Sequence, residues 1–176
     1  MLNELIRMLP PPSRKPRNSD AWVRYEAESG QIFPSDFKAF ISAYGSGVID
    51  DFIYVLDPFS PNPNLNFEKA ESFQSAYLVM KQLFPEDYPR PAYPETGSFL
   101  PWAVTDNGDS FIWLVDGDPA GWKVALHSKD QGDEEIYMLG CVDFLAGLLR
   151  GEVSSAILPS ELLTHGKTAH EFLPLE

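Results

Sequence analysis

The stretch GSFLPWAVTDNGDSFIWLVDGDPAGW, residues 97–122, decides the fold. It reads as two strands joined by Asp106-Asn107-Gly108-Asp109. Asn-Gly is the strongest short-range hairpin signal, because both central residues of the favoured turn need positive φ and these two tolerate it. Leu100, Trp102 and Val104 form one alternating set before the turn, and Phe111, Trp113 and Val115 form the matching set after it. The segment holds no phosphate loop, no metal-ligand spacing and no nucleophile beside a base. It reads as a region built to present a surface.

Downstream, WKVALHS and EIYMLG read as further strands linked by the acidic DQGDEE turn. Val142, Leu145 and Leu149, with Phe144 and Leu148 beside them, predict a closing helix that stops at Gly151. Upstream, Leu2, Leu5, Ile6 and Leu9 form the stripe of a short helix that Pro10, Pro11 and Pro12 end. The basic SRKPRN run after it reads as a solvated linker. A second helix begins after Asn18 or Ser19, carries Trp22 and Tyr25 on one face, and ends at Gly30. A third follows Pro34 and Ser35, with Phe37, Phe40, Ile41 and Tyr44 as its stripe and Gly45 at the left-handed position beyond its end. VIDDFIYVL is then one or two strands. After a turn-rich SPNPN loop, Asn66 caps a longer helix with Ala70, Phe73, Tyr77, Met80 and Phe84 on its apolar side. The tail beyond Glu152 reads as a turn of helix followed by an extension on the surface.

This order predicts a single-domain α+β fold: an antiparallel sheet packed with N-terminal helices, one longer middle helix and a closing C-terminal helix. The expected division is residues 1–18 as an N-terminal helix and linker, 19–151 as the domain, and 152–176 as a C-terminal extension. The 176 residues, 44% hydrophobic and 13% aromatic, suffice for one packed core. With 26 acidic and 13 basic side chains the formal charge is -13. That disfavours nucleic acid and anionic membrane, whose phosphates need Lys and Arg, and favours a basic protein partner. Cys141 is the sole cysteine, so no internal disulfide forms. No signal peptide or transmembrane run is readable, and the expected location is the cytoplasm.

Candidate sites reduce quickly. Asp106, Asn107, Gly108 and Asp109 lack the spacing of a calcium loop and serve the hairpin turn better. His127 lies in an expected strand. His165 and His170 in the tail do not have the i, i+4 spacing of a zinc helix, so all three read as surface or core histidines. Ser46 lies in a tight Gly-Ser-Gly connection rather than a nucleophile elbow. Cys141 has no base close before it and reads as a small buried apolar residue. No catalytic, cofactor or metal residues are expected, and the protein is read as a binder rather than an enzyme. Eight carboxylates at turns and strand edges, Asp106, Asp109, Asp116, Asp118, Asp130, Asp133, Glu134 and Glu135, stand against Lys123 and Lys129. They read either as a plain solvated surface or as a negative docking face for a basic partner. The tentative partner-binding set is Asp106, Asp109, Asp116, Asp118, Asp133, Glu134 and Glu135.

Three pieces of sequence match a known pattern. Trp22 and Glu26 lead through Gly30 to Phe33-Pro34 and a helix ending in Tyr44-Gly45-Ser46-Gly47. DDFIYVLDP follows directly. Leu100-Pro101-Trp102-Ala103 then precedes Thr105-Asp106-Asn107-Gly108-Asp109, Trp113 and the Asp143-Phe144-Leu145 helix. In this order the chain resembles the SUKH superfamily, the bacterial immunity-protein group that also contains the yeast cell-wall assembly regulator. The resemblance spans roughly residues 20–150 and rests on turns, caps and core aromatics. It implies an α+β protein that neutralises a cognate toxin, often a nuclease, by stoichiometric binding. The alternative it implies is a regulatory or scaffold module like the eukaryotic relatives.

Overall fold

The computed structural model of the chain describes residues 2–13, 19–129, 133–159 and 170–175. Strand β3 (Phe99–Thr105) runs antiparallel to β4 (Ser110–Leu114), pairing Leu100 with Trp113 and Ala103 with Phe111. Both tryptophans therefore stand in one sheet, as expected. The turn is a different one. Asn107 does not take positive φ; Gly108 does, at 94°. Its N–H donates to the Thr105 carbonyl at 3.0 Å, and the Thr105 N–H donates to the Asp109 carbonyl at 2.8 Å. This is a three-residue loop of the type I turn plus glycine-bulge kind, which spares Asn107 a left-handed backbone. The alternation also breaks, because the register slips between Pro101 and Ala103. The extra residue lets Trp102 and Ala103 both enter the core. Val104, expected in the core set, pairs with Ser110 and is only half-buried.

Around this hairpin the chain winds a seven-stranded antiparallel sheet in the order β6-β5-β4-β3-β2-β1-β7. The added strands are β1 (Gly47–Ile49), β2 (Ile53–Val55), β5 (Lys123–His127), β6 (Glu134–Tyr137) and β7 (Phe172–Pro174). Asp130, Gln131 and Gly132 of the acidic turn, the basic run at 14–18 and His165 lie outside the described residues. Helices α1 (Leu2–Met8), α2 (Ser19–Ser29), α3 (Ser35–Tyr44) and α5 (Cys141–Leu149) supply the side chains that pack one sheet face. There Phe37 meets Trp113 edge-on at 4.8 Å between ring centroids, and Phe111 meets Phe144 at 5.8 Å. Helix α4 (Glu68–Leu83) lies on the opposite face, where Tyr77 packs on Phe99 at 4.7 Å. The Asn66 side-chain carbonyl accepts the Glu68 N–H at 3.0 Å, as a capping residue should. Phe84, expected on the apolar stripe, falls just past the helix end and is exposed.

The tail joins the sheet instead of lying on the surface. Phe172 is buried, and β7 pairs along β1 because Gly47 leaves room for it: a Cβ there would stand 2.5 Å from both the Leu173 oxygen and the Phe172 ring. His170 anchors the approach. Its Nδ1 lies 2.6 Å from the Asp50 carboxylate, which sits in the β1–β2 turn, and its Nε2 lies 3.0 Å from the Leu149 carbonyl at the end of α5. Asp50 and Asp51 both have positive φ (51° and 57°), the signs a type I′ hairpin turn needs. At the other end of α5, Asp36 of α3 accepts the Val142 N–H at 3.2 Å, a cap supplied from a neighbouring helix.

Gly45 adopts φ 72° and ψ −158° while its N–H donates to the Ile41 carbonyl at 2.9 Å. The positive φ was expected, but the ψ lies outside the left-handed helical region, in a region that only glycine occupies readily. Gly45→Ala should therefore destabilise the fold by about 1–3 kcal/mol. Denaturant unfolding checks this: the midpoint should fall with an unchanged slope.

Candidate functional site

Strand alternation sets out rows of side chains on the α4 face. Pro101, Ile112, Ala125 and Ile136 are register partners across β3, β4, β5 and β6. The neighbouring row runs through Val104, Ser110, His127 and Glu134. Helix α4 packs on this face with Tyr77 on Phe99 and Phe73 on His127, and Ile112 and Ala125 are buried there; the row becomes exposed at β6, where Ile136 is 53% exposed. Beside the helix lies a cleft of about 510 Å³, with Phe73, Tyr77, Phe99 and Ile112 in its apolar lining and Glu86, Asp87, Arg90, His127 and Glu134 as its titratable groups.

Arg90 and Glu134 are already engaged with each other. The Arg90 guanidinium pairs with the Glu134 carboxylate and donates to the Gly97 carbonyl at 3.4 Å. The Arg90 main-chain N–H donates to the Tyr77 hydroxyl at 3.0 Å. Lys81 Nζ donates to the carbonyls of Pro89 and Arg90 at 3.0 and 2.6 Å, tying the proline-rich loop to the end of α4. His127 lies edge-on to Phe73 at 6.1 Å. Burial pushes its pKa below the ordinary imidazole value, against the opposing pull of Glu134. An aromatic cleft with a paired rim is suited to receiving an apolar or aromatic group under a few fixed polar contacts.

Four of the seven tentative residues, Asp109, Asp133, Glu134 and Glu135, line one depression at the start of β6, and Asp106, Asp116 and Asp118 do not join them. Asp106 and Asp133 are exposed, while Asp109, Glu134 and Glu135 have structural partners near them. Asp109, expected in solvent, is 7% exposed. One of its oxygens accepts the Lys129 N–H at 3.1 Å and the other accepts the Thr105 hydroxyl at 3.1 Å, locking the hairpin tip onto the end of β5. Glu135 points to the helix-covered face. Its carboxylate accepts from Ser155 Oγ at 2.6 Å, the Ala156 N–H at 2.7 Å and the Tyr137 hydroxyl at 2.8 Å, holding the segment after α5. Asp116 and Asp118 are exposed at the far end of β4, where Asp118 accepts the Ala120 N–H at 2.8 Å and caps one 3₁₀ turn. The five residues of β4 lie between the two groups, six steps that put them roughly 20 Å apart at ~3.3 Å per residue. Asp130 lies outside the described residues.

Cys141 is buried, with Sγ 3.4 Å from Asp36 Oδ2. Burial, then the Asp36 charge, raises its thiol pKa well above the usual value, so it stays a neutral core residue. Sequence reasoning placed Phe73 and Tyr77 on one helix stripe but missed the cleft. Arg90 sits in a proline-rich loop with no periodicity to read, and which sheet face α4 covers is a tertiary fact.

The sequence model of the SMI1-KNR4 cell-wall family, SUKH_6, matches residues 19–145. The matched span runs from the start of α2 through all six meander strands into α5. No curated protein and no solved structure matches the chain.

Glu135 carries a pH prediction. Burial raises its pKa, but the hydrogen bonds from Ser155, Ala156 and Tyr137 outweigh that and lower it below the ordinary carboxylate value. Folding thus favours the carboxylate. The stabilisation is full above the unfolded-state pKa and is lost as pH falls through the lower folded-state pKa. Glu135→Gln should be less stable than the parent at neutral pH, and the gap should close on acidification below about pH 4. Denaturation midpoints of the two proteins across that range test this; a constant gap would refute it.

Proposed function

The chain belongs to the SUKH superfamily, through the SMI1-KNR4 family, and from that premise we propose that it is an immunity protein that neutralises a cognate bacterial toxin by stoichiometric binding. The observation that carries this reading is the family match across residues 19–145, which takes in the whole hairpin-centred sheet except β7. The mechanism is exclusion. A net charge of -13 draws a basic partner, and aromatic and carboxylate groups then cover the surface the toxin would use on its own target. A nuclease fits best, since its phosphate-binding groove is basic and carboxylates can stand in for phosphates there. The protein acts in the cytoplasm, where such a toxin would do damage. No helix among the described residues is long and apolar enough to cross a membrane.

Co-expression with the toxin encoded beside this chain's gene should restore survival. Association should slow as salt is added, because exposed opposite charges are screened within about 10 Å at 0.1 M ionic strength. Changing the exposed Asp106, Asp116, Asp118 and Asp133 to Asn should lower the association rate several-fold while leaving the unfolding midpoint nearly unchanged. Failure of the unaltered protein to bind that toxin would remove the assignment. A salt-independent rate would remove the electrostatic part of it.

A further inference from the structure

Among the described residues, β6 is the last strand at one side of the sheet. The Ser128 N–H donates to the Asp133 carbonyl at 2.9 Å, so 128 and 133 form a hydrogen-bonded pair across β5 and β6. In an antiparallel ladder such pairs alternate with pairs whose main-chain groups turn outward. His127↔Glu134 and Ala125↔Ile136 are the outward pairs. The N–H and C=O of Glu134 and Ile136 therefore point away from the sheet, and among the described residues nothing bonds to them.

Edges are usually guarded by shortness, by charge (Lys above all), by Pro or by a bulge. Residues 134–137, Glu-Glu-Ile-Tyr, form a short strand with two glutamates but no Lys, Pro or bulge. Both carboxylates are engaged on the two faces of the sheet, with Arg90 on one side and with Ser155 and Ala156 on the other. The opposite edge ends differently, in Pro174, which has no N–H to offer a further strand. On the α4 face the β6 edge exposes Ile136 at 53%, and Met138 just beyond the strand is 75% exposed.

We propose that β6 receives an extended segment of the partner as an eighth strand, with main-chain bonds to Glu134 and Ile136. Alternate side chains of that segment lie over Ile136 toward the aromatic cleft. Its chemistry follows from the flanks. Glu86, Asp87 and Glu134 face Arg90 alone among the charged lining of the cleft, and the depression at the start of β6 is lined by Asp109, Asp133, Glu134 and Glu135 with no basic side chain. The segment is therefore apolar at one set of positions and basic at the other. A second copy of the chain is the poorer occupant, because β6-to-β6 pairing would bring Asp133 and Glu134 of two chains of charge -13 together. The inference rests on the immunity reading only for whose strand it is.

Ile136→Pro deletes an outward N–H together with the Ile136 side chain, both of which the proposal uses, while the β5–β6 bonds do not involve that N–H. Ile136→Val, which keeps the N–H and an apolar side chain, should bind nearly as the parent does. The probe is a short synthetic peptide alternating lysine and valine, with a glutamate–valine peptide as control. In isotope-labelled protein the lysine peptide should shift and protect the amides of Glu134 and Ile136, and the glutamate peptide should not. Ile136→Pro should weaken binding by at least about tenfold, the equivalent of one lost main-chain bond. Ile136→Lys, which keeps the N–H but adds a guarding charge, should also weaken it and covers the case in which the proline variant misfolds. No change at either amide, or equal binding of both peptides, overturns the proposal. With the toxin itself, binding that leaves both amides exchanging freely removes the edge and keeps immunity. A lysine peptide seated on β6 beside a toxin that does not bind does the reverse.

Discussion

The fold depends on the contact between Phe37 of α3 and the tryptophan pair of the central hairpin. Phe37 meets Trp113 edge-on at 4.8 Å and Trp102 at 6.4 Å, and the two indoles stack on each other at 5.9 Å. Such aromatic pairs contribute about 0.5–1.5 kcal/mol each beyond the area they bury. The arrangement leaves the indole N–H groups of Trp102 and Trp113 buried without a partner among the described residues. An unmet donor costs about 1–3 kcal/mol, whereas a buried indole removes on the order of 200 Å² from water, roughly 5 kcal/mol at 25 cal/mol per Å². Apolar burial outweighs the missing bonds. The bulge at Trp102 exists because that burial requires it: without the extra residue, Trp102 and Ala103 would face opposite sides of the sheet.

That contact also explains where the sheet is left open. The helices on the tryptophan side share one continuous core, and the Tyr44 hydroxyl ties α3 to the carbonyl of Leu9 beyond α1 at 2.5 Å. The opposite face carries α4, whose Phe73 and Tyr77 cover Phe99 and reach as far as His127 of β5, leaving Ile136 of β6 exposed. A sheet of seven strands is wider than one helix about 10 Å across can cover, so a cleft beside α4 follows from the element count. The cleft is a consequence of asymmetric coverage of an otherwise ordinary antiparallel sheet.

Local periodicity made the helices and the hairpin legible. Phe37, Phe40, Ile41 and Tyr44 are all buried, as their spacing indicates, and Gly30 and Gly45 take the positive φ expected beyond their helices. What stayed hidden was long-range. Nothing local says that Phe172 joins β1, since that pairing depends on the space at Gly47 and the anchoring of His170 by Asp50. Nothing local distinguishes Asp109, consumed by Thr105 and Lys129, from the exposed Asp106 three residues earlier. The Asn-Gly turn was placed correctly and typed wrongly, because either of two loop classes accepts that pair and the strand register selects between them.

Charge counting overstated the acidic face for the same reason. Asp109, Glu134 and Glu135 each hold a fixed partner, so their charges act locally on Lys129, Arg90 and the segment at Ser155. The exposed remainder falls into two groups, Asp106 with Asp133 and Asp116 with Asp118, about 20 Å apart along β4. That separation exceeds the screening length of about 8 Å at physiological ionic strength. The groups therefore act as independent patches, and the field of the whole chain can raise the encounter rate without choosing an orientation. Orientation needs directional contacts, and in the proposed mode these are the outward main-chain groups of β6 and the aromatic lining beside them. In that mode electrostatics would bring the partner close, and backbone geometry would decide how it sits.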